Sequence, residues 1–153
     1  FIFSFPAYNV RNTEIGGIMG LNQLKRLDEN IERRTVNLHR FLDRLNSEIY
    51  RTDFKLEGSS NYAFNLILKE PDDVLVKKLM EKMKESGLEF RRGSAGGGNQ
   101  TRQPYLKDIV PDNHYKNFTE TEHIHFYGFY IGNFPDLKDE EIDDICRILN
   151  SVK

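Results

Sequence analysis

Three stretches of this chain place polar side chains at spacings that chemistry could use. The first, Tyr8-Asn9-Val10-Arg11-Asn12-Thr13-Glu14, sets an amide, a guanidinium and a hydroxyl just ahead of a helical pattern. Unpaired N–H groups and the dipole at a helix N-terminus favour an anion there, and an arginine adds a planar donor fork. Plain helix capping uses the same residue types and is, on chemistry alone, the simpler account. The second stretch, from Arg91 to Tyr105, contains Gly93, Gly96, Gly97 and Gly98, followed by Asn99-Gln100-Thr101-Arg102-Gln103-Pro104. A glycine loop bares N–H groups that suit a phosphate. The lysine and the strand-to-helix setting of a P-loop are absent, so a surface loop fits the same residues. In the third, His123 and His125 stand at i and i+2, on one face of an expected strand. A metal would need further ligands, and only His114, in an irregular region, is at hand. Structural or substrate-proximal histidines are therefore expected, and no metal site. Cys146 is the only cysteine, which excludes a disulfide within the chain. Its setting, Ile145-Cys146-Arg147-Ile148, predicts a buried structural thiol rather than a nucleophile.

The chain that must position these groups has 153 residues, enough for one domain with its own core. With 38% hydrophobic and 30% charged residues it reads as globular rather than disordered. The net charge of −2 provides no basic field, so no nucleic-acid partner is expected. The cations between Lys25 and Arg44 alternate with Asp28, Glu29, Glu32 and Asp43, the pattern of a solvated helix face. No apolar run is long enough to cross a bilayer, so no membrane partner is expected. A single cysteine fits a reducing, cytoplasmic setting. The opening Phe1-Ile2-Phe3-Ser4-Phe5-Pro6 is aromatic where a terminus is ordinarily polar, which suggests a piece of a longer protein.

Periodicity supplies the elements. Thr13 caps a long helical segment reaching Leu45, bent or broken near Asp28-Glu29-Asn30, with apolar residues recurring every three or four positions. Gly16, Gly17 and Gly20 in its first turns suggest close approach of another backbone or a ligand. A polar connector follows, with a short strand near Phe54. Tyr62–Leu68 reads as a strand. Asp72–Ser86 reads as a helix whose inner side is Val74, Leu75, Leu79, Met80 and Met83, with Gly87 as its C-cap. Leu88–Arg91 and His123–Ile131 read as strands, residues 105–121 as irregular and exposed, and Lys138–Val152 as the closing helix. The fold class is α+β: a small, largely antiparallel sheet with helices on one face, plus the long N-terminal helical segment. Residues 1–45 form an interface segment and connecting helix, and residues 46–153 a small α+β domain.

Tyr8-Asn9-Val10-Arg11, with the helix that follows through Gly16-Gly17-Ile18-Met19-Gly20 and Leu24-Lys25-Arg26-Leu27 to Phe41-Leu42, resembles a segment of the DegT-type sugar aminotransferase family. These are fold-type-I enzymes that use pyridoxal 5'-phosphate (PLP), and they include sugar 3-dehydrases. The resemblance spans essentially the whole chain. It is dense at residues 8–27, 99–105 and 128–145, and thin at 46–61 and 106–121. It implies the C-terminal small domain of such an enzyme, acting on nucleotide-linked keto-deoxysugars of surface polysaccharide synthesis. It further implies a homodimer in which Asn9 reaches the cofactor phosphate of the other subunit, with Arg11 beside it as a second cofactor-binding candidate whose alternatives are the interface and the substrate phosphates. Thr101-Arg102-Gln103-Pro104-Tyr105 resembles the dehydrase branch, where it replaces a histidine-containing segment. By that likeness Arg102 and Gln103 are the substrate-contact candidates, and 3-deoxygenation stands beside amino transfer as the reaction. The residue that holds the cofactor covalently lies upstream in this family. None of Lys25, Lys55, Lys69, Lys77 or Lys78 sits in its context, so no catalytic residue is assigned here and the isolated chain is expected to be inactive. A non-catalytic binding module is the competing class.

Overall fold

The computed structural model describes residues 2–5, 7–8 and 12–152. Helix α1 (Glu14–Leu24) starts where Thr13 Oγ1 accepts the Gly16 N–H at 3.2 Å. Helix α2 (Leu27–Arg44) follows after a break at Lys25-Arg26, three residues before the predicted one. That shift leaves Asp28 and Glu29 in the first turn of α2, where negative charge suits the helix dipole. Next come β1 (Ala63–Ile67), α3 (Asp73–Glu85), β2 (Arg91–Arg92), α4 (Thr119–Tyr127), β3 (Gly128–Gly132) and α5 (Asp139–Asn150). The sheet order is β1-β3-β2, antiparallel throughout, with Phe64 opposite Ile131 and Arg92 opposite Phe129.

Alternation along β1 and β3 sends Phe64, Leu66, Phe129 and Ile131 into one core. There they meet Leu38, Phe41 and Leu42 of α2, Val76, Leu79 and Met83 of α3, and Ile142, Cys146 and Leu149 of α5. The rings of Phe41 and Phe64 stack 4.4 Å apart at the centre of this layer. Helix α2 thus belongs to the same core as the sheet. Helix α1 does not: none of its residues is buried, and Ile15, Ile18, Met19, Leu21 and Leu24 are all exposed. Among the described residues nothing lies within 4 Å of a Cβ placed on Gly17 or Gly20, so the close approach expected there does not come from this part of the chain.

Arginines of α2 latch onto aspartates of α5. Arg40 meets both oxygens of Asp143 at 2.8 Å and Asp139 at 3.0 Å, Arg33 meets Asp139 at 2.9 Å, and Arg44 also pairs with Asp143. The Arg40 guanidinium holds the Asp143 carboxyl below the usual carboxylate range. Asp143 therefore supports the fold above the ordinary aspartate pKa, and that support is lost as pH falls through its lowered value. Cys146 is buried, and burial pushes its thiol up to about 12, which leaves it inert as a nucleophile at neutral pH.

Several elements differ from the sequence reading. No strand forms at Phe54, whose side chain packs half-buried against the core; the pairing there is a single antiparallel bridge between Tyr50 and Leu68. Val76, not Val74, faces inward from α3, because 76, 79 and 83 keep the 3-4 spacing of one helical face. The pairing expected over Leu88–Arg91 is confined to Arg91–Arg92. The first half of the predicted strand His123–Ile131 is helix α4, which carries Glu120 and Glu122 in its first turn and ends at Gly128. Local β-propensity of the aromatics lost to this tertiary setting.

Tyr50 is fully buried, and its hydroxyl donates to the Leu149 carbonyl at 2.8 Å. Tyr50→Phe removes that bond and leaves the Leu149 carbonyl with the long 3.5 Å bond from the Val152 N–H, and a loss of about 1 kcal/mol in urea unfolding is expected. A variant as stable as the parent would show that the carbonyl finds another partner.

Candidate functional site

The stretch from Arg91 to Tyr105 lies at the surface but is folded onto α4, with Gly97, Asn99 and Gln103 buried. After β2 the Gly93 N–H donates to the Gly128 carbonyl at 2.7 Å, and a Cβ on Gly93 would land on the Ile124 carbonyl. The chain then winds through tight turns at Ala95–Gly97 and Gln100–Arg102. Gly96, Gly97 and Gly98 have φ of 71°, 104° and 59°, in the left-handed region that favours glycine. Gly98 also lies against the His125 ring so closely that a Cβ would collide with it.

Asn99 is the hub of this turn and is only 2% exposed. Its backbone N–H donates to His125 Nδ1 at 3.0 Å, and its side-chain amide donates to Glu122 Oε1 at 2.7 Å. Its Oδ1 accepts from the Thr101 N–H at 3.1 Å and the Thr101 hydroxyl at 2.6 Å. For Nδ1 to accept, the His125 ring must be neutral with its proton on Nε2. Burial, then the neighbouring Arg102 charge, lowers the His125 pKa in that same direction, against the pull of Glu122.

Arg102 donates from Nε to Glu122 Oε1 at 2.7 Å and from Nη2 to Glu122 Oε2, a two-point pairing. Its guanidinium lies 4.0 Å from the Tyr115 ring centre and 5.2 Å from that of Phe126. The Arg102 pairing, more than any other contact, lowers the Glu122 pKa. Among the described residues Nη1 of Arg102 has no hydrogen-bond partner. Arg102 lines a cleft of about 340 Å³ with Lys107, Asn113 and Tyr115. Gln103 takes the extended backbone expected before Pro104, yet its side chain turns inward. Its amide donates to the Gly97 carbonyl at 2.9 Å, and its Oε1 accepts the Phe3 N–H at 2.9 Å.

The histidines part company. Two residues along a helix turn through some 200°, so His123 leaves α4 on another side, with Nε2 2.6 Å from the Leu68 carbonyl. Among the described residues no group of three or more His, Cys, Asp or Glu is arranged to hold a metal ion, and no helix is long and apolar enough to cross a membrane. Asn9 and Arg11 lie outside the described residues. A second cleft of about 350 Å³, lined by Tyr62, Phe90, Tyr130 and Phe134, includes none of the sequence-predicted site residues. Sequence reasoning missed Glu122 as the partner of Arg102, and Asn99 and His125 as the residues that hold its turn. The available signal was Glu122 and His125 at i and i+3, which share a face only if that segment is a helix.

The profile of the DegT/DnrJ/EryC1/StrS aminotransferase family matches residues 2–150. A GDP-4-keto-6-deoxy-D-mannose 3-dehydratase from Yersinia pseudotuberculosis is 31% identical over 97% of the chain, which spans 38% of that protein. The lipopolysaccharide biosynthesis protein RfbH of Salmonella typhimurium is 30% identical over 94% of the chain, which spans 33% of it. Among solved structures, the Escherichia coli GDP-4-keto-6-deoxy-D-mannose-3-dehydratase with hydrated PLP superposes with a TM-score of 0.71 at 30% identity. A structure of GDP-4-keto-6-deoxymannose-3-dehydratase with bound GDP-perosamine gives 0.75, also at 30%. Each of these two alignments covers 97% of this chain and 38% of the other. The five helices and the small antiparallel sheet described above therefore match one part of a fold-type-I enzyme.

PLP has two binding needs, a lysine or its substitute at the aldehyde and donors at the phosphate. The described residues do not meet the first: every described lysine stands exposed or half-exposed at the surface. Their donor set holds amides and arginines, which suit phosphate oxygens without a covalent bond.

Proposed function

We propose, from the fact that this chain belongs to the DegT/DnrJ/EryC1/StrS aminotransferase family, that it is the C-terminal part of a PLP-dependent enzyme acting on nucleotide-linked 4-keto-6-deoxysugars. Of the two reactions, 3-deoxygenation is favoured over amino transfer. The observation that carries this is 30–31% identity to 3-dehydratases over 97% of the chain. The relation to RfbH supports a role in lipopolysaccharide sugar synthesis.

In this reading residues 1–45 serve as an interface segment and residues 46–153 as the small domain. The exposed apolar residues of α1 support a homodimer or a packed large domain around that helix, because such a surface is ordinarily covered. Asn9 and Arg11, by the family motif, hold the cofactor phosphate across the dimer. PLP, when bound, supplies the electron sink for cleavage beside the reacting carbon. This chain contributes binding: Arg102 offers its Nη1 edge to the diphosphate of the sugar nucleotide, and Gln103 fixes the turn that carries it. The pairing with Glu122 and the stacking on Tyr115 hold the guanidinium in one orientation, which lowers the ordering cost when substrate arrives. The enzyme works in the cytoplasm, where nucleotide sugars are made.

The test is the product. The full-length protein, supplied with PLP, an amino donor and a GDP-linked 4-keto-6-deoxyhexose, is expected to release a 3-deoxy sugar nucleotide, read by mass spectrometry. A product carrying a new amine with its C3 hydroxyl intact would assign the chain to the aminotransferase side instead.

A further inference from the structure

Nothing in the family match assigns a role to α4, yet two of its residues control the turn that carries Arg102. Glu122 and His125 are one helical turn apart and face the same loop. Glu122 binds Arg102 through two of its nitrogens and Asn99 through its side-chain amide. His125 Nδ1 takes the Asn99 backbone N–H, and the ring packs on Gly98. Asn99 in turn caps the Gln100–Arg102 turn through Thr101.

We propose that His125 and Glu122 are positioning residues for substrate recognition: His125 fixes Asn99, Asn99 and Glu122 together fix Arg102, and Arg102 meets the anionic part of the sugar nucleotide. The inference rests on Arg102 contacting substrate, as set out above. Neither α4 residue need touch the sugar nucleotide. Asn99 is buried and Glu122 is spent on its two partners, so their contribution reaches the ligand only through the guanidinium. Without Glu122 the Arg102 side chain regains its rotamers and must be ordered again by each substrate molecule, a cost that appears in binding. An acceptor at the Nδ1 position is what His125 supplies. Asparagine puts its Oδ1 close to that place, whereas glutamine reaches toward the Nε2 place.

The experiment is steady-state kinetics of the full-length enzyme, loaded with PLP, on its nucleotide-sugar substrate. Arg102→Ala is expected to raise KM about tenfold with little change in kcat. Glu122→Ala should give a comparable rise, and the Arg102→Ala/Glu122→Ala pair no more than either alone, because both remove one interaction. His125→Gln should raise KM severalfold, and His125→Asn should restore the parental value. PLP affinity, read by absorbance titration, should stay unchanged in all of them, which excludes a general loss of folding. Additive effects in the pair, or equal KM values for His125→Asn and His125→Gln, would overturn the positioning role while Arg102→Ala still shows its own rise. An unchanged KM in Arg102→Ala would remove the substrate contact itself, and the positioning role with it.

Discussion

Gly93→Ala is expected to lose about 3 kcal/mol of stability, because the new methyl group meets backbone rather than a side chain that can turn away. The Ile124 carbonyl stands where the Cβ would go, and the carbonyl of Gly128, which takes the Gly93 N–H, lies behind it. Relief requires α4 and β2 to separate, which would also break the seat of the Asn99 turn. Gly96→Ala provides the contrast. Its φ of 71° is strained for alanine, but nothing lies within 4 Å of the added methyl group, so the cost is about 1 kcal/mol. Urea unfolding of the two variants in the same background separates a steric cost from a torsional one. Equal midpoints would mean that β2 and α4 are not clamped together as described.

The second large effect concerns the cofactor. Asn9→Ala in the full-length protein is expected to weaken PLP binding by roughly one to two orders of magnitude, the worth of one hydrogen bond to a charged phosphate. The measurement is an absorbance titration of apoenzyme with PLP, run beside sedimentation to follow dimer formation. Arg102→Ala serves as the control and should bind PLP as the parent does. Unchanged affinity in Asn9→Ala would withdraw the cross-subunit assignment.

How far these outcomes were legible in the sequence depends on the kind of signal. Helices α3 and α5 were legible because their apolar residues keep a helical period, with Gly87 just past the end of α3 and Asp139, Glu140 and Glu141 in the first turn of α5. Strands β1 and β3 were legible from alternation. Helix α4 was not: His123-Ile124-His125-Phe126-Tyr127 is rich in residues that favour strands, and the helix is held by tertiary contacts, among them the packing of Gly93 and Gly128 against the Ile124 carbonyl. That one misreading hid the site. With α4 drawn as a strand, His123 and His125 share a face and suggest metal, while Glu122 and His125 point apart. As a helix the pairing reverses, and Glu122 and His125 converge on Asn99. The family resemblance offered Arg102 and Gln103 as candidates, but it carried no geometry, so the inward turn of Gln103 and the pairing of Arg102 emerged only from the fold.

The α2–α5 latch joins residues about a hundred positions apart: Arg40 to Asp143 and Arg33 to Asp139 are separated by 103 and 106 residues. Strand β1 likewise waits for β3, with Phe64 facing Ile131. Contacts this distant in sequence make folding slow, since a long loop must close before either partner is rewarded. On the ribosome the consequence is an ordering in time. Helix α2 emerges with Leu38, Phe41 and Leu42 uncovered, and their cover stays incomplete until α5 has been synthesised, which makes that interval the one in which a nascent chain most needs a chaperone.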